Sequence, residues 1–252
     1  MLLTLIISYY DSPETFKRQV ETWNSYPECI KKELEIIVVD DCSHDVPLSS
    51  VLVFQKGLNM RVFRIKKKAM WNSISCRNIG AKEAKGKWLL FTDIDHLLPR
   101  EQAIELFEIL NEKEDNKLNL LLSPRMAYNL SRIDEQGEIM DMHNFSFLMT
   151  KKLFWEIGGY DEEFAGAWDN KKHYIKRIDN FLGQSIACVP IQLMKIESEK
   201  CDLPKDIDRD RRIKIYVNNR KRFYQREDSV ITLTFPYEEI KIDSIGKYVY
   251  EV

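Results

Sequence analysis

No apolar run in this chain approaches the length of a membrane span, and no segment repeats or falls into low complexity. Met1–Ile7 is apolar, but it lacks a basic leader and is too short for a signal peptide, so it is expected to form the first strand of the fold. An excess of either charge is missing too. The 38 basic residues stand against 40 acidic ones for a net charge of -2, which gives no reason to expect a nucleic-acid partner or an acidic tail. Paired cysteines are absent: Cys29, Cys42, Cys76, Cys188 and Cys201 are odd in number, widely scattered and never spaced as Cys-x-x-Cys. That pattern excludes a small disulfide-stapled scaffold and suits reduced thiols in a cytoplasmic compartment. At 252 residues the chain is long enough for one large α/β domain, or two closely joined halves, with a substantial core.

What is present is a series of apolar strands that stop at acids. Leu2–Ile7 reads as a buried strand, and Ser12-Pro13 supplies an N-cap and a first-turn proline for a helix running to about Ser25. Glu35–Val39 is a second strand, stopping at Asp40-Asp41-Cys42-Ser43, and Leu58–Ile65 suggests a third. Arg77–Lys85 looks helical and closes at Gly86. The next run, Trp88–Phe91, suits only a strand buried on both faces, and it gives way to Asp93 and Asp95. Strands alternating with helices argue for a largely parallel sheet, and such sheets bind ligands where their strands end. On an extended segment, side chains at i and i+2 point the same way, so Asp93 and Asp95 can offer hard oxygens to one divalent cation or to a metal-bound diphosphate. An ordinary turn whose carboxylates accept loop amides has the same pattern.

Pro99 opens another amphipathic helix, with Ile104, Leu106, Phe107, Ile109 and Leu110 on its apolar face. Beyond residue 117 the pattern changes to a mixed sheet, with a strand at Leu118–Leu122 and shorter alternating pieces within Ile139–Met149. Lys151–Ile157 reads as a short helix ended by Gly158-Gly159-Tyr160-Asp161, a glycine pair able to take positive φ at a sharp turn. Nine basic residues fall between Lys205 and Arg226, interleaved with Asp206, Asp208 and Asp210. They form either a solvated helix or a surface for phosphate or anionic lipid, which would allow peripheral membrane contact. Val230–Phe235 and Tyr237–Ile242 are expected to make a terminal hairpin.

Four islands stand in order: Ile7-Ser-Tyr-Tyr-Asp11, Val38-Val-Asp-Asp-Cys-Ser43, Arg77-Asn-Ile-Gly80 and Phe91-Thr-Asp-Ile-Asp95. With Gly158-Gly-Tyr-Asp-Glu-Glu-Phe164, the series resembles the family 2 glycosyltransferases of the GT-A fold over residues 2–182. The resemblance implies a Rossmann-like, mostly parallel sheet flanked by helices, with a smaller mixed-sheet half. It divides the chain into a nucleotide-sugar-binding half (1–100), an acceptor-binding half of the same domain (101–204) and a basic C-terminal segment with terminal strands (205–252). It implies Ser8, Tyr10 and Asp41 at the nucleoside, Asp41 accepting the base imide hydrogen, while Asp40 braces the turn. Arg77, at a helix start, is implied to meet either a phosphate or an aspartate of the acid pair, and Gly80 to permit close helix packing. Asp95 matches the family's principal metal ligand, for Mn2+ or Mg2+, and Asp93 the partner on ribose or metal-bound water. His96 stands where many relatives carry a third acid; strand alternation turns it away from Asp95, toward a supporting role.

The match weakens at the catalytic base. The acidic pair that relatives carry after the Gly-Gly-Tyr stretch falls here on Asn170 and Lys171, and neither is a carboxylate. Asp169, one residue away, is the preferred base, with Trp168 as a stacking wall for the acceptor sugar; His173 competes for the role, and a retaining reaction needs no such base. His143 lies in the acceptor half as a core or a site histidine. The activity implied is metal-dependent transfer of a sugar, most readily from a UDP-sugar, to a hydroxyl of a glycan, lipid or protein. One alternative is a nucleotide-sugar or glycan binding module without turnover. Another is a haloacid dehalogenase-type phosphohydrolase using Asp93 and Asp95, although that motif sits on a first strand and carries Thr or Ser where this chain has Leu97. A nucleotidyltransferase would begin with a Gly-rich loop, and Ile7–Asp11 contains no glycine.

Overall fold

The computed structural model describes residues 1–52, 57–69, 72–111, 122–140, 145–165, 170–183, 186–199, 233–242 and 248–249; the side chains of 170–173, 242 and 248–249 are not described. Strand β1 (Leu3–Tyr9) leads through helices α1 (Pro13–Asn24) and α2 (Glu28–Glu33) to β2 (Leu34–Asp40). After a short turn of helix α3 (Leu48–Val51) come β3 (Met60–Ile65), α4 (Ser73–Glu83), β4 (Trp88–Asp93), β5 (His96–Leu97) and α5 (Arg100–Leu110). The second half holds β6 (Tyr128–Ile133), β7 (Ile139–Met140), β8 (Phe147–Thr150), α6 (Lys151–Glu156), a 3-10 turn at Glu162–Phe164, α7 (Asn170–Leu182) and β9 (Ala187–Lys195). Strands β10 (Tyr237–Ile242) and β11 (Tyr248–Val249) follow.

These strands join in one sheet of order β11-β10-β3-β2-β1-β4-β8-β6-β9-β5, with β7 hanging on β6. The stretch β3-β2-β1-β4 is parallel, and β8 joins β4 antiparallel to begin the mixed half. This is the GT-A arrangement expected from the sequence, with the chain reversing direction across the sheet between β1 and β4.

The parallel strands are buried on both faces, and the alternation is literal. Leu3, Leu5, Ile7 and Tyr9 of β1, Ile36 and Val38 of β2, and Trp88 and Leu90 of β4 face one core with Phe16 and Trp23 of α1 and Leu106 of α5. Ile6, Ile37, Val39, Leu89 and Phe91 face the other, against Ile74 and Ile79 of α4, Leu153 and Phe154 of α6, and Tyr160 and Tyr174. Glycine is required where α4 crosses β1: a Cβ on Gly80 would strike Ile6 Cγ2.

Several local expectations change. Ser12 sits at the start of α1, but its hydroxyl donates to the Tyr10 carbonyl at 2.7 Å instead of capping the helix. The Glu199 carboxylate accepts the helix amides of Glu14 and Thr15 at 3.1 and 3.3 Å, so a residue distant in sequence does the capping. Helix α4 begins one turn earlier than its pattern suggests, at Ser73, which moves Arg77 from a helix start to a helix interior. The terminal hairpin is β10–β11, not Val230–Phe235 with Tyr237–Ile242: residues 233–235 carry no strand, and β10 pairs antiparallel with β3. Arg61 reaches Glu239 at 2.8 Å and Lys66 reaches Glu238 at 2.7 Å across that seam. Leu118–Leu121 of the fifth expected strand, His143 and the basic segment 205–226 lie outside the described residues.

Candidate functional site

The ends of β1, β2 and β4 meet on one side of the sheet, where the strand order reverses. Two residues there hold left-handed backbone without being glycine, Asp11 (φ 42°) and Cys42 (φ 55°). Such conformations persist only when their surroundings hold them. The Asp11 carboxylate does so by accepting the amides of His44, Asp45 and Val46 at 3.3, 3.0 and 2.8 Å, while its own amide donates to Ser43 Oγ at 3.1 Å. Asp40 accepts the Ser43 and Leu48 amides at 2.7 and 3.0 Å, bracing the turn as expected. The loops after β1 and β2 thus form one rigid rim.

Inside that rim lies Asp41, 6% exposed. Its Oδ2 accepts the Asn72 amide at 2.8 Å, while its Oδ1 is buried with no hydrogen-bond partner among the described residues. Burial, with Asp40's charge adding to it, pushes the carboxyl up to about 8 against the opposing Asn72 amide and the Lys68 charge. Asn72 is fully buried. Its Oδ1 accepts the Ser75 hydroxyl, and its Nδ2, like Asp41 Oδ1, has no partner among the described residues. An orphan acceptor and an orphan donor, joined through one backbone hydrogen bond, are what an unfilled recognition edge leaves behind. Asn72 escaped sequence analysis because it precedes the Arg-Asn-Ile-Gly island and carries no motif of its own. Ser8 is half-buried, with its hydroxyl 3.4 Å from the Ser73 carbonyl, and Tyr10 lies beside Lys68 with its phenol raised chiefly by burial.

Arg77 sits beneath the acid pair, fully buried. Its guanidinium donates to Asp93 Oδ1 at 2.8 Å, to the Phe145 carbonyl at 2.6 Å and to the Tyr160 hydroxyl at 3.1 Å. Of the two partners expected for it, the structure supplies the aspartate. The next residue, Asn78, bridges to the Gly-Gly-Tyr stretch: its Oδ1 accepts the Tyr160 amide at 2.9 Å and its Nδ2 donates to the Tyr160 carbonyl at 2.7 Å and to Glu162 Oε1 at 3.1 Å. Gly158 and Gly159, at φ 95° and 63°, make the turn that brings Tyr160 there, as their pairing predicts. Glu162, buried, also accepts the Thr234 amide and hydroxyl at 2.7 and 2.8 Å, a tie between the motif and the C-terminal segment that no spacing revealed.

Asp95 is not the next outward residue of an extended strand. β4 stops at Asp93, residues 94–95 turn, and β5 starts at His96, so the alternation that was to turn His96 away is broken. His96 Nδ1 lies 2.7 Å from Asp95 Oδ1. On the other oxygen, Lys195 Nζ stands 3.9 Å from Oδ2. Burial raises the Asp95 carboxyl, but the hydrogen bond and charge of His96, with Lys195 behind it, hold it below its ordinary value.

The two acids fit the chemistry of a hard divalent cation. Each provides carboxylate oxygen, and the charge of Asp93 opposes ionisation of Asp95, a repulsion a cation would relieve. Among the described residues no three His, Cys, Asp or Glu side chains gather into a closed cage. The pair instead suits an ion that takes its remaining ligands from substrate phosphates and water. Asp169 and Trp168 lie outside the described residues; Asn170, Lys171 and His173 fall in the first turn of α7, and their side chains are not described. Among the described residues no helix is long and apolar enough to cross a membrane.

Among curated proteins, the poly(ribitol-phosphate) beta-N-acetylglucosaminyltransferase TarS of Staphylococcus aureus is 27% identical over 118 residues, 47% of this chain and 20% of TarS. An uncharacterized glycosyltransferase of Haemophilus influenzae is 24% identical over 123 residues, 49% of this chain and 38% of that protein. The matches thus span well under half of either relative. Among solved structures, a TarS fragment in complex with UDP-GlcNAc is similar with a TM-score of 0.62 at 14% identity, covering 91% of this chain and 68% of that one. The mannosyltransferase PcManGT of Pyrobaculum calidifontis, in complex with GDP-Man and Mn2+, gives 0.54 at 17% identity, covering 90% and 65%. At these identities the likeness is one of fold. The family model described as glycosyl transferase family 2 matches residues 4–168, well over half of the chain. The chain belongs to glycosyl transferase family 2.

Proposed function

We propose that the chain is a metal-dependent glycosyltransferase that moves a sugar from a UDP-sugar to a hydroxyl of a glycan, lipid or protein acceptor. The observation that carries this reading is the crevice at the strand ends. It sets an unpartnered buried acceptor and donor, Asp41 Oδ1 and Asn72 Nδ2, in the same site as an acid pair built for a cation. Acceptor and donor together complement the imide edge of uracil, which offers one N–H and flanking carbonyls. Relatives support the donor class: TarS was solved with UDP-GlcNAc, and PcManGT with a nucleotide sugar and Mn2+.

In this reading residues 1–100 bind the nucleotide sugar, 101–204 the acceptor, and 205–252 append the basic segment and the terminal strands. Ser8 and Tyr10 border the nucleoside, and Asp93, aimed by Arg77, meets the ribose. Asp95 and Asp93 hold Mn2+ or Mg2+, whose charge offsets the negative charge gathering on the departing diphosphate. Asp169 takes the proton of the acceptor hydroxyl as its oxygen bonds to the anomeric carbon and the bond from that carbon to UDP breaks, with inversion. Trp168 forms the wall against the acceptor ring.

A donor screen tests the proposal. Incubated with Mn2+ and a panel of nucleotide sugars, the protein should bind and slowly hydrolyse a UDP-sugar, and Asp95→Ala should weaken Mn2+-dependent UDP binding at least about tenfold. Unchanged UDP affinity in Asp95→Ala removes the metal role. Because Asn170 and Lys171 stand in place of the acidic pair, the screen also decides against a binding module: binding of the donor with no UDP released in the presence of any acceptor would establish the module instead.

A further inference from the structure

The two acids of the pair are neutralised in different ways. Arg77 is fully buried and held by hydrogen bonds to three groups, so its charge on Asp93 is permanent. Lys195 is 40% exposed, sits 3.9 Å from Asp95 Oδ2, and donates no hydrogen bond from its ammonium to any described residue. Its backbone is nonetheless fixed. β5 pairs antiparallel with β9 so that His96 lies opposite Lys195, and the Ile196 amide donates to the Asp95 carbonyl at 2.9 Å.

Lys195 also has somewhere to go. It lines a surface cavity of about 270 Å³ whose wall includes the acids Asp134, Glu135 and Glu197. Lysine suits such a role, because a compact ammonium on a flexible stem exchanges partners more readily than a guanidinium fork.

We infer that Lys195 is a displaceable internal counter-cation: it occupies the Asp95 carboxylate in the free protein and withdraws into the acid-lined cavity when a divalent ion arrives with the donor's diphosphate. This rests on the metal-dependent reading above and goes beyond it, making Lys195 a positioning residue that sets how tightly the ion is held. No bond is made or broken. The exchange trades a monovalent charge on Asp95 for a divalent one, and the released ammonium gains the cavity's carboxylates.

The test is a Mn2+ titration of the full chain followed by loss of the free-ion EPR signal, with and without UDP. Lys195→Met should bind Mn2+ about threefold tighter, and at most about fivefold, the worth of a partly exposed ion pair. Lys195→Arg, which keeps the charge, should stay near the wild type. Arg18→Met, which removes a cation paired with Glu135 at 3.0 Å, should leave Mn2+ affinity unchanged. Melting temperatures check that all three variants fold. Equal or weaker affinity in Lys195→Met overturns the inference, as does equal tightening in Lys195→Arg or Arg18→Met. A wild type that takes up no Mn2+ even with UDP overturns the metal-dependent reading and this inference together.

Discussion

The inner floor of the crevice and its outer rim solve one problem, how to keep carboxylates together beside a sheet, by opposite means. On the floor, Arg77 is sealed from solvent and its hydrogen bonds aim Asp93. On the rim, Asp95 meets His96 and a half-exposed lysine, and Arg18 pairs with Glu135 in open solvent. The difference teaches that the floor is built for fixed geometry and the rim for exchange. Burial makes a broken contact expensive on the floor and cheap on the rim.

Breaking the floor should have the largest effect. Arg77→Met leaves Asp93 and the Phe145 carbonyl without their buried donor, and a loss of about 3–5 kcal/mol is expected in denaturant unfolding. A loss below about 1 kcal/mol would erase the contrast with the rim. Next comes packing on the same side: Gly80→Ala drives a methyl into Ile6 and should cost about 1–3 kcal/mol with nucleotide contacts untouched. Asp41 offers a pH test. Its folded carboxyl lies near 8 and its ordinary value is 3.8, so the folded state holds the proton more tightly. The resulting stability is fully present below about pH 4 and is lost as pH rises through 8. Asp41→Asn should therefore gain in melting temperature relative to wild type between pH 5 and 9, at about 2–4 °C per kcal/mol; parallel curves would place the proton elsewhere. Smallest is the rim: Arg18→Met should move the melting temperature by no more than about 2 °C.

The parallel half was legible because its strands are buried on both faces, and runs such as Trp88–Phe91 admit no other reading. Leu2–Ile7 and Glu35–Val39 were readable for the same reason, and Gly158-Gly159 announced its own turn. What sequence could not supply came from long-range contacts. Glu199 caps α1, Glu162 holds Thr234, and Asn72 gains meaning only from its bond to Asp41. Tertiary contact also overruled local pattern at Asp95, where a two-residue turn replaced the extended geometry that the spacing of the acids suggests. The nucleoside, metal and acceptor roles remain proposals that the donor screen decides.

The return of Tyr237–Ile242 to the outer side of β3 has a practical corollary. A version of the protein shortened before Thr234 would bare the backbone of Met60–Ile65 as an unprotected edge, open to intermolecular pairing and aggregation. It would also release Glu162 from two of its hydrogen bonds, loosening the corner that holds Asn78 beside Arg77. Attempts to trim the chain for expression should therefore keep its last strands, even though they lie far in sequence from every acid of the crevice.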